Sequence, residues 1–311
     1  MQLSNKLSAF SLIELSIIIA VFSVLMTGVL TQYTTGSQKK SVGSTFNRMI
    51  TVDAALKYYL ANKGHLPCPA SLTDIKEAST PTVISTYARA TDCTAPAPAG
   101  IFDKRGVNNI DDNANGDIRI GMVPVRTLGL SDSYAFDDWG RRYTYIVPKQ
   151  LAVDKTEFDA FAPATTRQLT IEVDPTTDEY DVLTSGDAIY GDQAGEDIAY
   201  VLISHGATGA GGFNGNGIEA TPSCNVPNHI DDILRNEGRD NENCDHSGKK
   251  ETANDNMQNM HYLDVAINDS VDFNNDAFFD DYVYWLPYDT AKNIYDAANP
   301  STGGSSGQNN Q

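Results

Sequence analysis

One carboxylate, Glu14, sits near the start of the almost unbroken apolar run from Phe10 to Leu30. In hydrocarbon such a charge costs about 2.5–3.5 kcal/mol. Glu14 therefore requires a cationic partner, and the run itself offers none. A second group is Asp111, Asn113, Asn115 and Asp117, with Gly116 at the sharp turn and Ile118 after it. Side-chain oxygens alternating in a tight loop point inward and suit calcium, which takes six to eight hard oxygens. Position twelve of that loop is Met122 rather than a bidentate Glu, so the remaining ligands would have to come from elsewhere. The competing reading is a solvated Asn/Asp turn before a strand. Asp272, Asn274, Asp276 and Asp280 form another oxygen-rich candidate without the glycine, and Asp187, Asp192, Glu196 and Asp197 add acidic density without a ligand pattern.

Ser204-His205 invites a hydrolase reading with an acidic partner such as Asp197. Adjacent residues on a strand point to opposite faces, however, so the two are ill placed as nucleophile and base, and no Gly-x-Ser-x-Gly elbow is present. Residues 206–217 hold six glycines but neither a Walker lysine nor dinucleotide spacing, which argues against phosphate binding. Four cysteines, Cys68, Cys93, Cys224 and Cys244, all follow the apolar run. An even count in an exported domain reads as two disulfides, and proximity favours Cys68–Cys93 and Cys224–Cys244. Zinc at the second pair, with His229 and His246, is the rival, although C-x2-C spacing is lacking.

These groups must be positioned by a chain of 311 residues with 41 acidic and 22 basic side chains, a formal charge of −19. Such a surface repels phosphate, so nucleic acid is excluded as a partner. At about 1.5 Å per residue, Phe10 to Leu30 spans roughly one hydrocarbon thickness. It is too long for a secretory signal core, and no Ala-x-Ala site follows it. Lys6 precedes the span while Lys39 and Lys40 follow it, so basic flanks give little guidance on orientation. No proline interrupts residues 10–66, and Val42, Phe46, Met49, Asp53, Leu56 and Leu60 keep helical spacing, with Asp53 off-pattern. The spacing predicts one helix over 10–62, stopped by Lys63-Gly64 with Pro67 beyond.

From Gly64 to Gly116 the chain reads as loops, with one short helix near Ser71–Ala78. Strands are expected at Ile118–Val125, Arg142–Val147, Gln168–Val173, Tyr180–Thr184, Asp197–Ser204 and Asp281–Leu286, with a hairpin between Ile171 and Tyr180. Residues 221–260 form an Asn/Asp-rich excursion, and 296–311 a disordered tail.

The string Phe10-Ser11-Leu12-Ile13-Glu14-Leu15, after a short polar leader, resembles the prepilin signal of type IV pilins and type II secretion pseudopilins. Asp137-Asp138-Trp139-Gly140-Arg141-Arg142-Tyr143 resembles a motif of the major pseudopilin that opens the sheet packed on the long helix. Ala54-Ala55-Leu56-Lys57-Tyr58-Tyr59-Leu60 resembles the end of that helix, and Ile203–Gly209 occupies the place of a Ser- and Gly-rich loop.

The resemblance implies a pilin-like α+β fold, a long N-terminal helix (membrane span 10–30 plus an amphipathic half) on an antiparallel sheet with long irregular loops. It implies that prepilin peptidase removes the leader 1–9 by cutting between Ala9 and Phe10, and that the Phe10 amine is methylated. Ala9 stands where the family most often has Gly. Glu14 would then meet the amine of a neighbouring subunit. Further partners would be other pilin or pseudopilin subunits, an inner-membrane assembly platform and the lipid bilayer, with the domain 63–295 in the periplasm. The family's calcium lies in a loop nearer the C-terminus, so that knowledge does not transfer onto residues 111–117. The length favours a minor or specialised subunit without catalysis. Its alternative is a filament-tip binding module, an adhesin or substrate receptor, that uses residues 221–260; an anchored periplasmic enzyme comes third.

Overall fold

The computed structural model describes residues 19, 42–76, 86–104, 118–161, 169–172, 189–190, 197–209, 211–220, 260–263 and 281–300. Helix α1 (42–63) is rich in strong helix formers, among them Ala54, Ala55, Leu56, Lys57, Leu60 and Ala61. It stops where the sequence predicts. Gly64 takes a φ of 78° and its N–H donates to the Leu60 carbonyl at 2.8 Å, a left-handed cap that a side chain would strain.

The buried face of α1 consists of Thr45, Met49, Val52, Asp53, Leu56 and Leu60. This corrects the expected stripe in two ways. Phe46 is exposed rather than buried, and Asp53 lies on the packed face after all. The rest of the expected helix, including the span 10–30, lies outside the described residues apart from Ile19, which is helical and exposed. Among the described residues no helix is long and apolar enough to cross a membrane.

Five strands form the principal sheet: β1 (Phe102–Lys104), β2 (Ile118–Met122), β3 (Thr144–Pro148), β6 (Ile198–Ser204) and β8 (Tyr282–Pro287). They run in the order β1-β2-β3-β6-β8, every neighbour antiparallel. The α+β class and the antiparallel sheet are therefore as expected. A second sheet has the order β5-β4-β7, from β4 (Leu169–Glu172), β5 (Ile189–Tyr190) and β7 (Met260–Leu263), with β4 and β7 parallel. Met260, expected at the end of the excursion, opens β7. The expected 171–180 hairpin and the 180–184 strand fall outside the described residues; β4 pairs instead with β5.

β2, β3 and β6 are buried at every position because the principal sheet is covered on both faces. Tyr145, Val147, Tyr200 and Leu202 pack with Met49, Val52, Leu56 and Leu60 of α1. On the other face Ile118, Ile120, Ile146, Val201 and Ile203 pack with Leu169 and Ile171 of β4. A register shift between Ile198 and Tyr200 in the β6–β8 pair returns Ile198 to this second face.

Further helices were not expected from the sequence: the 3-10 turn η1 (Asp132–Ala135), α2 (Lys149–Val153), α3 (Lys155–Ala160) and α4 (Tyr288–Ala298). α3 is capped by Asp154, whose side chain accepts from the Glu157 N–H. α4 buries Tyr288, Ala291 and Tyr295 and runs past the expected start of the tail at 296. Of the short helix expected near Ser71–Ala78, the described residues 71–76 are irregular rather than helical. Cys68 and Cys93 are joined, with Cα atoms 5.6 Å apart. Closing that 25-residue separation restricts the unfolded chain by about 3.5 kcal/mol in the loop-entropy account. Buried Arg119 holds the same loop by donating to the Asp92 and Ala95 carbonyls and to the Asp103 carboxylate.

Candidate assembly interface

The turn that carries the Asp-Asp-Trp-Gly-Arg-Arg string is built around one carboxylate. Asp137 Oδ1 accepts from the Trp139 and Arg141 N–H groups, and Oδ2 accepts from the Ser204 hydroxyl at 2.8 Å. Burial pushes the Asp137 carboxyl above its ordinary range, against the pull of those donors. The expectation that Asp137 and Asp138 arrange a turn agrees with this geometry. Arg141 then donates to the carbonyls of Gly206, Ala207 and Thr208 and so fixes the glycine-rich loop. Arg142 is fully buried; it donates to the carbonyls of Ser71, Asp74, Asn214 and Gly215 and lies over the Tyr87 ring. Trp139 stacks on Tyr282, with centroids 5.7 Å apart.

The same turn clamps α1 near residue 45. The Asp138 N–H donates to Thr45 Oγ1, the Tyr143 hydroxyl donates to the Thr45 carbonyl, and Arg48 pairs with Asp138 at 2.7 Å. Two turns further on, Asp53 accepts from the Tyr200 hydroxyl and from Lys57 Nζ at 2.8 Å, and Lys57 lies over the Tyr284 ring. Burial and the adjacent Asp53 hold the Tyr200 hydroxyl well above the ordinary phenol range. This buried, polar attachment explains why a carboxylate sits on the packed face.

From the flank of α1 at Phe46 round to the side opposite the sheet at Tyr58 runs an apolar lane that stands partly open among the described residues. Phe46, Ile50, Ala54 and Tyr58 step by four, and Phe46, Ile50 and Tyr58 are 46%, 44% and 73% exposed. A surface helix ordinarily turns polar side chains outward, so a lane of this kind points to a contact with another molecule. Periodicity in the sequence contained this signal, but it did not say which of two apolar lanes would face the sheet.

Ser204 and His205 go to different faces, as expected from a strand. Ser204 meets Asp137 on the α1 side, whereas His205 Nε2 lies 2.9 Å from Thr144 Oγ1, with Asp281 3.9 Å from its Nδ1. All of these groups are buried. The cleavage and pairing residues Ala9, Phe10 and Glu14, the oxygen set Asp111, Asn113, Asn115 and Asp117, and the pair Cys224 and Cys244 lie outside the described residues. Among the described residues no cluster of three or more metal-ligating side chains occurs. No protein-family model, curated protein or solved structure matches this chain.

Proposed function

We propose that this protein is a prepilin-like subunit that prepilin peptidase processes before Phe10. Phe10–Leu30 then holds it in the inner membrane, and it assembles with related subunits into a type II secretion pseudopilus or type IV pilus. The observation that carries the reading is the pair of apolar faces on α1. One is locked to the sheet through Met49, Val52, Leu56 and Leu60, and the other leaves Phe46, Ile50, Ala54 and Tyr58 open to a neighbour. A helix that served only its own domain would need one such face. The prepilin-like string at 10–15 supplies the second support, because Glu14 needs a cation from outside its own segment. The freshly exposed amine at Phe10 of an adjoining subunit would meet that need, and an axial slip would leave both charges buried and unpaired.

The test is the N-terminus of the mature protein recovered from membranes, together with co-assembly of Glu14→Ala. The expected results are a chain that begins at methylated Phe10 and a variant that fails to join filaments. A mature chain beginning elsewhere, or normal co-assembly of the variant, would refute the reading.

A further inference from the structure

The loop that carries Cys93 is held to the domain by Arg119, a fully buried side chain whose five N–H donors can each be placed. Nε and one Nη2 donor go to the Asp103 carboxylate at 2.8 and 3.0 Å, and the other Nη2 donor goes to the Ala95 carbonyl at 2.8 Å. Nη1 gives one donor to the Asp92 carbonyl at 2.7 Å and turns the other on Cys68 Sγ, 3.9 Å away. The Thr91 hydroxyl, which donates to the Pro69 carbonyl at 2.7 Å, also stands 3.4 Å from that sulfur. Among the described residues no donor stands on Cys93 Sγ; both reach Cys68.

A disulfide sulfur is a weak acceptor, so the fifth Arg119 donor is poorly served while the bond is closed. A thiolate at Cys68 would serve it well. Charge points the same way. Arg119 and Lys149 share the one carboxylate of Asp103, with Lys149 Nζ 3.4 Å from it, so among the described residues one positive charge stands uncompensated beside the sulfur. The two sulfurs also differ in place. Cys68 lies within the buried run 66–72, whereas Cys93 sits on a loop between exposed Asp92 and Thr94.

We infer that Cys68–Cys93 is a thiol–disulfide exchange site of fixed polarity, and that its partner is a dithiol or the corresponding disulfide. An incoming thiolate bonds to Cys93 Sγ, the Cys68–Cys93 bond breaks, and its electron pair leaves on Cys68 as a thiolate facing Arg119 and Thr91. The partner's second thiolate then attacks the partner's own sulfur in the mixed disulfide and releases Cys93, which takes up a proton. The two electrons lost by the dithiol thus end on Cys68 and Cys93. A sulfur stabilised as thiolate departs faster, so attack at Cys93 is favoured over attack at Cys68. Closure runs the same steps backwards, with Cys68 as the nucleophile. Arg119 serves that direction too, because its bonds to the Asp92 and Ala95 carbonyls flank Cys93 and do not require the disulfide. The site is independent of the assembly reading.

The experiment exposes the oxidised full-length protein, in mild detergent, to limiting glutathione, quenches it in acid, labels free thiols there with a maleimide and maps the peptides. Glutathione is expected on Cys93 and the maleimide on Cys68, at least about tenfold over the reverse arrangement. A second measurement separates charge from mere access: the ultraviolet thiolate absorbance of the fully reduced protein at neutral pH. That band should persist in Cys93→Ser and be lost in Cys68→Ser. Glutathione mainly on Cys68, an even division, or no adduct on either cysteine would overturn the polarity. A reduced protein without the band, or one that loses it in Cys93→Ser instead, would overturn the stabilised thiolate on which the polarity depends.

Discussion

The two faces of α1 make opposite demands on substitution, which Ile50→Asp and Leu56→Ala can separate. Leu56 is fully buried against Tyr145, Tyr200 and Leu202. Truncation there removes buried methyl groups and leaves a cavity, at a cost of about 2–5 kcal/mol. At about 2–4 °C per kcal/mol for a domain of this size, melting should fall by roughly 4–20 °C. Ile50 is 44% exposed, on the flank of α1 outside the packed face. Its replacement by Asp forfeits only the half already covered in the folded domain, about 1 kcal/mol, so melting should fall much less than in Leu56→Ala. In an assembled state, covering the exposed half of Ile50 contributes about 1 kcal/mol. Desolvating an unpaired carboxylate at the same place costs at least about 2 kcal/mol more. Together these weaken the contact roughly 100-fold.

The assay compares melting by circular dichroism with the ladder of chemically cross-linked oligomers, both on full-length protein in membranes or mild detergent. The expected pattern is a folded, unassembled Ile50→Asp beside a destabilised Leu56→Ala. Ile50→Lys guards against simple charge repulsion, because burial is lost with either sign. An intact ladder in Ile50→Asp, or a melting loss as large as that of Leu56→Ala, would refute the argument that this face serves a neighbour.

Two further outcomes follow from the packed side. Tyr200→Phe withdraws the hydroxyl donated to Asp53 and should cost about 1.5–3 kcal/mol, as for a buried hydrogen bond to a charged group; a double-mutant cycle with Asp53→Ala should show strong coupling, and additive losses would dismiss the anchor. Burial, aided by Asp296, Asp159 and Asp289, pushes the Tyr288 hydroxyl up to about 12, while an unfolded tyrosine ionises near 10. Its contribution is therefore complete below pH 10 and is lost as pH rises towards 12. Melting temperature should decline across that window, less so in Tyr288→Phe, and identical alkaline profiles for the two proteins would contradict it.

Much of this architecture was legible where local chemistry decides it. Lys63-Gly64 marked the end of α1 because a left-handed cap favours glycine, and proximity paired Cys68 with Cys93. The strand cores at 118–122, 144–147, 198–204 and 282–286 were visible as β-branched and aromatic runs. What escaped depends on partners far away in the chain. β4 pairs in parallel with β7 across some ninety residues, and no local pattern in either announces a second sheet. The unbroken apolar run Ile198-Ala199-Tyr200-Val201-Leu202-Ile203 was a clue that β6 is covered on both faces. The spacing of Tyr288, Ala291 and Tyr295 likewise signalled α4, but an acidic, Asn-rich neighbourhood obscured it. Asp53 looked misplaced only because its partner, Tyr200, lies 147 residues away. Of the candidate site, the lane on α1 was present in the periodicity but assigned to the wrong side at Phe46. The residues that carry the family resemblance at the N-terminus lie outside the described residues.

The length of the exposed lane bears on how copies of this chain would meet. From Phe46 to Tyr58 it rises about 18 Å along the helix. Steps of four also drift around the helix, so its two ends face different directions. Phe46 and Ile50 lie towards the apolar segment 10–30 in sequence, and Tyr58 lies towards the body of the domain. One neighbour seated on the whole lane would have to follow that drift, whereas two neighbours could each take an end. The second arrangement suits a helical stack, in which each subunit touches more than one other. It makes the two ends separable: with a photoreactive side chain at position 58, Ile50→Asp should weaken the cross-links made there but leave them on the same residues of the neighbour. A position-58 cross-link that moved to new residues in Ile50→Asp would mean that a single partner covers the entire lane.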